Sequence, residues 1–427
     1  MNPKLDEIAQ KKHIKWIFLG LLVLIFLVIL ILVVLYIMAC NVGYVVSLDF
    51  SFEPGISAYK DRPADAFITL EPHIMNLVGQ NIPAESRKFT RMFLAATAGM
   101  RLLTLENPLQ SEAIIESLQL QLPQVGLMVD NPYSDVRIMS GRDEGIYAWI
   151  TVNYLTKKLG SRKVPPVDEK QAIGALDLGG ASTQITFVPE TDKPAPHTSI
   201  RHLFGKAYNL YSYSYLCYGK SAAEKRIWAE IIGNQNASVI DNPCFHQGNS
   251  IVVKKREIFG EQCVSSKYAT TLVGSSLVPN EAFSGFTYVM AYLGFPIEGR
   301  NPTRDEFRQR VDAFCKKPWI NISASKSPDN LKIVGLYCFD GVYIDALLSH
   351  FGFNTSDSWR SITFSAKIDG VTVSWALGYA IDATGMIEST SPKIDLGLLA
   401  FASSVIVLSV VFIVLLIIVI LIFLRKQ

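Results

Sequence analysis

The sequence has almost no excess of charge of either sign. Its 427 residues include 40 lysines and arginines against 38 aspartates and glutamates, which gives a formal net charge of +2. These charges are spread along the chain without a basic block, whereas nucleic-acid-binding domains concentrate lysine and arginine on one face. We therefore expect no nucleic-acid partner.

Several familiar catalytic signatures are also missing. The six histidines show no metal-ligand spacing, and the chain has no Gly-x-Ser-x-Gly nucleophile elbow. Gly219-Lys220-Ser221 has the ending of a P-loop, but Ser214 stands where that motif needs a glycine. There is no internal repeat and no low-complexity tract. These absences argue against a histidine-bound metal, a serine nucleophile and a P-loop nucleotide site.

Two long uncharged runs explain much of the 49% hydrophobic composition. Residues 16–39 form a run of 24 residues, and residues 396–424 form a run of 29. At about 1.5 Å per residue, each can cross a bilayer core of roughly 30 Å. The first run is too long for a signal peptide and has no small-residue cleavage site. We expect two transmembrane helices, with the lipid bilayer as a partner.

Flanking charges predict the orientation of both helices. Positive residues stand on the terminal side of each run, at Lys11, Lys12, Lys15, Arg425 and Lys426. By the positive-inside rule, residues 1–15 and 425–427 are cytoplasmic, and residues 40–395 lie outside, at the plasma membrane. A segment of this length exceeds a usual single core, so two domains are expected.

The outer segment carries features of an extracellular chain. Its glycosylation sequons are at Asn236, Asn321 and Asn354. Apart from Cys40 at the membrane edge, it contains five cysteines, Cys217, Cys244, Cys263, Cys315 and Cys338, on the side where disulfides persist. Because five is an odd number, at least one of them has no partner within the segment.

Residues 87–103 read RKFTRMFLAATAGMRLL. Residues 92–96 have a strand-like pattern, Thr97, Ala98 and Gly99 form a turn of small residues, and a helical pattern follows. Such a unit points backbone N–H groups and the positive end of a helix at an anion. Any tight connection between a strand and a helix would have the same composition.

Acidic residues stand at the start of a second helix. In the segment RIMSGRDEGIYAWITVNYL, residues 137–155, Ser140 opens a turn and Asp143 and Glu144 follow at the start of an amphipathic helix. Acids in a first helical turn are ordinary capping residues. The alternative is a general base that reaches into a cleft.

The segment GALDLGGASTQITF, residues 174–187, combines a strand-terminal acid with glycines and a hydroxyl. Residues 172–176 predict a buried strand, and residues 184–188 predict the returning strand of a hairpin. The small residues between them let backbone amides approach phosphate oxygens. Asp177 can hold a divalent cation directly or through water. A generic glycine hairpin does not explain this combination.

These segments together resemble the ecto-nucleoside triphosphate diphosphohydrolase (apyrase) family, in its cell-surface branch with two membrane anchors. AATAGMRLL, SGRDEGIYAWITVNYL, ALDLGGASTQITF, FSGFTYV and SWALGY resemble five successive blocks in the family's order. The resemblance implies two actin-like, ribonuclease-H-like α/β lobes with the nucleotide between them. Lobe I would span residues 40–140, lobe II residues 141–367, and residues 368–395 would return to lobe I.

The resemblance also implies a role for each matched residue. Glu144 matches the general base, Gln184 the amide that orients water, and Asp177 a carboxylate of the Ca²⁺ or Mg²⁺ sphere. The matched phosphate-binding residues are Thr97, Ala98, Gly99, Gly179, Gly180, Ala181 and Ser182. Tyr288 matches the aromatic that stacks on the nucleobase, and Trp375 a structural tryptophan. The family pattern pairs Cys217 with Cys263 and Cys315 with Cys338, which leaves Cys244 free.

The first block departs from the family. The strand YVVSLD ends at Asp49, a weak candidate for a metal ligand, but Phe50-Ser51-Phe52-Glu53-Pro54 replaces the expected loop of small residues.

Two hypotheses about function remain. The first is a hydrolase of extracellular nucleoside tri- and diphosphates. The second is a catalytically impaired relative that acts as a binding or partner protein. An unrelated adhesion or receptor ectodomain would not need LDLGGAS. The two spans could pair within one chain or in a homo-oligomer.

Overall fold

Strands and helices both occur throughout the described part of the chain. The computed structural model describes residues 54–159, 168–190, 196–203, 205–233, 239–260, 262–264, 280–297, 301–324, 331 and 333–384. All of them belong to one compact unit, Ser47–Thr390. Asp49, Asn236 and both predicted transmembrane segments lie outside the described residues. Within the described ranges, no helix is both long and apolar enough to span a bilayer.

The strands and helices are numbered in chain order. The strands are β1 (Leu94–Ala96), β2 (Val136–Ile138), β3 (Gly174–Leu178), β4 (Ser182–Phe187), β5 (Thr198–Leu203), β6 (Lys206–Leu216), β7 (Asn280–Ser284), β8 (Ile362–Phe364), β9 (Lys367–Ile368) and β10 (Val371–Thr372). The α-helices are α1 (Pro63–Asn81), α2 (Ala84–Arg87), α3 (Ala98–Glu106), α4 (Pro108–Gln121), α5 (Pro132–Asp135), α6 (Gly141–Leu155), α7 (Lys220–Ile232), α8 (Lys255–Phe259), α9 (Gly285–Tyr292), α10 (Arg304–Cys315), α11 (Trp319–Ser323), α12 (Tyr337–His350), α13 (Ser356–Trp359) and α14 (Trp375–Ala383).

Six strands form one mixed sheet in the order β5-β6-β4-β3-β7-β8. The strands β5, β6, β4 and β3 are antiparallel neighbours, whereas β7 and β8 run parallel to β3. The register sets Asp177 opposite Gln184 and Gln184 opposite Ser214. Polar side chains therefore line up across three strands on one face, while alternate residues such as Leu176 and Ile185 point to the other.

Helix α6 covers the polar face of this sheet. A Cβ atom at Gly145 would lie 2.5 Å from Thr186 Oγ1 and 2.7 Å from Ser212 Oγ, so only glycine lets the helix come this close. The sequence predicted an amphipathic helix, but α6 is buried almost all round from Glu144 onward. The reason is that α6 is covered by α14 as well as by the sheet.

The other face of the sheet carries the larger apolar core. Strands β3, β4, β7 and β8 pack there against α9, α10 and α12. Its buried members include Leu176, Leu178, Ile185, Ala282, Phe286, Met290, Phe307, Val311, Ile344, Leu348, Trp359 and Phe364. Burial of this apolar surface is the main source of stability for the sheet.

A second apolar core lies within residues 56–138. Helices α1, α3 and α4 pack around the two-stranded parallel sheet of β1 and β2. Its buried members include Phe67, Leu70, Ile74, Met100, Leu103, Ile114, Leu118 and Val136. The two cores fall in the ranges predicted for lobes I and II, but the division into two lobes with a cleft stays a prediction.

The last described helix, α14, packs back on α6. Thr151 Oγ1 donates to the Ser374 carbonyl at 2.6 Å and accepts from the Gly378 N–H at 2.8 Å. The ring of Tyr379 lies 5.2 Å from that of Tyr147. These contacts hold α6, which carries Glu144 in its first turn.

The local predictions hold in type, with shifted boundaries. The strands predicted at 92–96 and 172–176 are β1 and β3, each beginning two residues later than expected. The returning strand begins at Ser182 rather than at residue 184. The cause is a tight turn, because the Gly179 N–H donates to the Ser182 carbonyl at 3.0 Å and brings Thr183 opposite Leu178 in the ladder.

Two disulfides join Cys217 to Cys263 and Cys315 to Cys338, and Cys244 is free. These are the pairs that the family resemblance implies. The bond from Cys315 to Cys338 links the last residue of α10 to the first turn of α12. It therefore fixes two helices that cover the larger core.

Replacing Cys315 and Cys338 together by alanine should lower the free energy of unfolding. The bond closes a loop of 23 residues, for which loss of the cross-link costs about 3 kcal/mol. Denaturant unfolding of the purified chain measures the change. Cys244→Ala is the control and should cost less than about 1 kcal/mol. Equal losses in the two variants would contradict the assignment.

Candidate active site

Two neighbouring acids at the start of α6, Asp143 and Glu144, have different surroundings. Ser140 is the N-cap, and its hydroxyl accepts from the Asp143 N–H at 3.1 Å and donates to the Asp143 carboxylate at 2.8 Å. Asp143 also forms an ion pair with Arg201 at 2.7 Å. Ser140 thus caps the helix, and the Asp143 carboxylate lies at the positive end of α6, where an acid is ordinarily favourable. Glu144 is only 6% exposed and points toward the sheet.

Among the described residues, hydrogen-bond donors contact only one of the two carboxylate oxygens of Glu144. Its Oε2 accepts from Arg101 Nη1 at 2.7 Å and from Gln184 Nε2 at 3.1 Å. No group in the described ranges donates to Oε1. Burial raises the pKa of Glu144 above its ordinary value, and the Arg101 guanidinium opposes that rise. The result is a fixed carboxylate with one oxygen left to accept a proton.

Gln184 is the centre of the polar face. Its Nε2 lies 2.7 Å from Ser182 Oγ, 2.9 Å from Ser214 Oγ and 3.1 Å from Glu144 Oε2. These contacts fix the amide of a side chain that is only 1% exposed. A rigid amide beside a carboxylate is suited to orienting a small polar molecule.

Arg101 brings the predicted elements together. It lies in α3, one turn after Ala98, and its Nη1 donates to the Met139 carbonyl at 3.2 Å as well as to Glu144. Its Nη2 donates to Ser182 Oγ at 2.9 Å. One guanidinium therefore joins the helix after the first turn of small residues, the acid of α6 and the end of the glycine loop.

The glycine loop between β3 and β4 is held through its carbonyl groups, while two of its N–H groups have no acceptor among the described residues. The Gly179 and Gly180 carbonyls accept hydrogen bonds from backbone N–H groups at the start of α7, at 2.9 and 3.0 Å. The Ala181 carbonyl accepts one from the Cys217 N–H at 2.8 Å. Gly219 makes this approach possible, because a Cβ atom there would clash with the backbone of Gly180 and Ala181. None of the described residues accepts from the N–H of Gly180 or Ala181, so these amides remain available to an anion.

The turn before α3 has the same property. The Thr97 carbonyl accepts from the N–H of both Met100 and Arg101, each at 3.1 Å. The N–H groups of Ala98 and Gly99, which begin α3, have no acceptor within the described part of the chain. They form the positive end of a nine-residue helix. Two turns with open amides are thus linked through Arg101.

Asp177 is a buried carboxylate without a cationic partner among the described residues. It is 5% exposed and sits opposite Gln184 in the ladder. Burial raises its pKa to about 7, the negative charge of Glu144 adds to the rise, and a hydrogen bond with Ser284 opposes it. Ser284 has a left-handed φ of 57° at the junction of β7 and α9, a strained conformation for a residue with a Cβ atom.

The donor set fits a divalent cation that is shared with a substrate. Groups of three or more histidine, cysteine or acidic side chains are absent from the described ranges, so a metal cage built from protein alone is not found there. Mg²⁺ is commonly held by one or two carboxylates, with waters and phosphate oxygens completing its shell. A buried Asp177 that lacks a positive neighbour matches that chemistry.

The remaining predicted residues within the described ranges lie on other elements and loops of the chain. Tyr288 is on α9, one turn after Ser284, and is 60% exposed. Trp375 is the first residue of α14, with its ring 6.5 Å from that of Tyr379. Asn321 and Asn354 are both exposed.

Sequence reasoning missed three side chains that build the site: Arg101, Ser214 and Ser284. Arg101 stands within the block AATAGMRLL, and an arginine one turn after a predicted anion-binding turn is a usable signal. Ser214 and Ser284 have no such local signal, because only the pairing of distant strands brings them to Gln184 and Asp177.

The fold belongs to the α/β class, and a solved structure shares it. Its α/β arrangement with a mixed sheet is shared with the nucleoside triphosphate hydrolases from Neospora caninum. The TM-score is 0.54 at 15% sequence identity, over 76% of this chain and 78% of that one. This likeness concerns the fold alone and confirms the predicted α/β class.

Comparison of sequences then identifies the family. The model of the GDA1/CD39 (nucleoside phosphatase) family matches residues 39–270 and 261–396. The chain is 30% identical to ectonucleoside triphosphate diphosphohydrolase 1 of Rattus norvegicus over 386 residues, 79% of this chain and 74% of the relative. It is 32% identical to ectonucleoside triphosphate diphosphohydrolase 8 of Gallus gallus over 415 residues, 84% of this chain and 80% of the relative. The chain therefore belongs to the GDA1/CD39 (nucleoside phosphatase) family, as its sequence blocks predict.

Arg101→Leu should destabilise the fold, and more so at high pH. The change leaves the buried Glu144 carboxylate without its guanidinium, which costs about 3–5 kcal/mol when the acid is ionised. The folded-state pKa of Glu144 then rises further above the unfolded value of about 4.3. The folded form binds more protons, so stability is lost as pH rises through that window. Thermal unfolding at pH 5 and pH 8 measures the difference.

The matched control is Arg101→Leu combined with Glu144→Gln. The neutral amide needs no guanidinium, so the double variant should recover much of the stability lost at pH 8. An equal loss at both pH values, or no recovery in the double variant, would show that Arg101 acts through packing alone.

Proposed function

We propose that the chain hydrolyses nucleoside tri- and diphosphates to monophosphates and phosphate, with Ca²⁺ or Mg²⁺ as cofactor. One observation carries the proposal: Glu144 has one oxygen fixed by Arg101 and Gln184, and both of these side chains contact the end of a loop with open amides. The relatives named above, which are ectonucleoside triphosphate diphosphohydrolases, support the same reaction.

Glu144 acts as the general base. A water oxygen attacks the terminal phosphorus, the bond to the leaving phosphate oxygen breaks, and the water proton passes to Glu144 Oε1. Gln184 orients the water, because its amide is fixed beside the same carboxylate. No covalent intermediate is required.

The two turns hold the phosphates. The amides of Gly180 and Ala181, with Gly179 and the Ser182 hydroxyl, form one cradle, and Thr97, Ala98 and Gly99 form the other. Donors that are fixed before the reaction stabilise the charge that develops on the phosphate oxygens. Arg101 keeps the cradles at one site through its contact with Ser182.

Asp177 holds the divalent cation, with Asp49 as a weaker candidate. When bound, the cation neutralises charge on the phosphate oxygens and on the leaving group. Tyr288 stacks on the nucleobase and tolerates any base, since every base offers a π-face. Trp375 has a structural role at the start of α14.

The proposed setting is the plasma membrane, with both termini cytoplasmic and the site outside the cell. It rests on the two apolar runs and their flanking charges. The nucleotide lies between lobe I (residues 40–140, rejoined by 368–395) and lobe II (residues 141–367). The two spans pair within one chain or in a homo-oligomer.

A phosphate-release assay on purified membranes, with and without divalent cation, tests the proposal. The catalytically impaired relative remains the second candidate, because Phe50 to Pro54 replace the loop of small residues in the first block. Cation-dependent release of phosphate supports the hydrolase. Nucleotide binding without release supports the impaired relative.

Glu144→Gln should reduce the rate of phosphate release by about 10² to 10⁴. The amide keeps the size and the hydrogen bond to Arg101 but cannot accept the proton from water. Asp143→Asn, at the neighbouring capping residue, is the matched control and should keep the rate near that of the unaltered chain. Equal release from both variants, above a mock-membrane background, would exclude Glu144 as the base.

Asp177→Ala should raise the cation concentration needed for half-maximal activity, with partial recovery at excess Ca²⁺ or Mg²⁺. In the unaltered chain, protons compete for the same carboxylate, so apparent cation affinity should rise as pH increases toward about 7. Glu281→Gln removes another buried carboxylate from β7 and should leave the cation dependence unchanged. A cation dependence that is identical in Asp177→Ala would remove Asp177 from the cation site.

A further inference from the structure

A cavity of about 490 Å³ lies among helices α9, α10 and α11. It shares no lining residue with the candidate active site, and its volume is within the range of about 300–1,000 Å³ that small-molecule sites occupy. Its wall includes the rings of Tyr292 and Phe314, whose centroids are 5.3 Å apart, and the cationic side chains of Arg310 and Lys317. The cavity thus offers an aromatic surface beside hydrogen-bond donors.

Asn321 is part of the same wall. It is the acceptor residue of the sequon Asn321-Ile322-Ser323 and is exposed. The next residue, Ile322, is 6% exposed and packs with Phe314 and Cys338 in one apolar cluster. Because Ile322 anchors α11, the asparagine is fixed at the cavity rather than carried on a free loop.

We propose that this cavity binds the first sugar residues of an N-linked glycan attached to Asn321. The inference goes beyond nucleotide hydrolysis and depends only on the outer segment being glycosylated. An N-acetylglucosamine unit has an apolar ring face that can pack on Tyr292 and Phe314. Its hydroxyl and acetamide oxygens can accept hydrogen bonds from Lys317.

An uncharged ligand suits the cavity better than a free anion. Arg310 Nη1 already donates to the Leu293 carbonyl at 3.0 Å, and its guanidinium lies 4.0 Å from the Phe295 ring centroid. Its donor geometry is therefore partly used within the protein. A sugar that is covalently linked to the wall also avoids most of the entropy cost of association.

The bound sugar would connect three helices. Lining residues come from α9, α10 and α11, and α9 also carries Tyr288. The glycan would thereby stabilise the helix that presents the proposed nucleobase contact. Asn354 provides an internal comparison, because it is an exposed sequon asparagine that does not line this cavity.

The test is site-resolved glycan release from the full-length protein made in a mammalian cell line. Treatment of the native protein with a peptide:N-glycanase, followed by mass spectrometry, should release the Asn321 glycan on the order of tenfold more slowly than the Asn354 glycan, the change that about 1.4 kcal/mol of contact free energy produces. The two rates should become equal after denaturation. Equal rates in the native protein, an unmodified Asn321 beside a modified Asn354, or no glycan at either site would overturn the proposal.

Ala313→Trp places a large side chain in the cavity wall and leaves the sequon intact. It should abolish the slow release at Asn321, whereas Ala84→Trp, at an exposed position on α2, should preserve it. Retained protection in Ala313→Trp would count against the cavity as the binding site.

Thermal unfolding keeps the test decisive if Ala313→Trp does not fold. Asn321→Gln should lower Tm more than Asn354→Gln does. The two variants should differ no longer when the cells are treated with an inhibitor of N-glycosylation. A difference that persists without glycans would assign the effect to the asparagine itself and overturn the proposal.

Discussion

The buried ion pair between Arg101 and Glu144 is the interaction on which the candidate site depends. Arg101 comes from α3 in the smaller core, and Glu144 from α6 on the polar face of the six-stranded sheet. Both side chains are largely buried, so their desolvation opposes much of the Coulomb gain. The ion pair therefore contributes more to positioning the two side chains than to the stability of the fold. Its guanidinium also donates to Ser182, which connects Glu144 to the end of the glycine loop.

The two acids of the site differ in their electrostatic surroundings. Glu144 has a guanidinium at 2.7 Å, whereas among the described residues the carboxylate of Asp177 has a hydroxyl partner, Ser284, and no cationic one, and its pKa is raised to about 7. The guanidinium opposes the rise that burial causes in the pKa of Glu144, and the other carboxylate oxygen is left to take a proton. When a cation binds, it compensates the negative charge of a buried carboxylate that has no positive neighbour. Distinct surroundings thus suit the two acids to the different roles proposed for them, base for Glu144 and cation ligand for Asp177.

Much of this arrangement could be predicted from short segments. The hairpin of β3 and β4, the turn before α3 and the helix after Ser140 all follow from local patterns of small, apolar and capping residues. The order of five blocks predicted the family. The boundaries were less accurate, because the closure of the turn from Gly179 to Ser182 depends on a single backbone hydrogen bond. Ser214 could not be predicted, since its place beside Gln184 comes from strand register.

The sequence left open whether the acids at the start of α6 cap the helix or serve chemistry, and in the structure the two residues have different surroundings. Successive residues of an α-helix point about 100° apart, since 3.6 residues make one turn. Asp143 can therefore bind Ser140 and Arg201 at the rim while Glu144 turns inward. Gly145 lets α6 approach Thr186 and Ser212 closely, so that the inward-pointing Glu144 can reach the side chains of the sheet. A larger residue there would lift the helix and move the Glu144 carboxylate away from Gln184. The capping pattern and the glycine after it thus act together, and neither identifies the base alone.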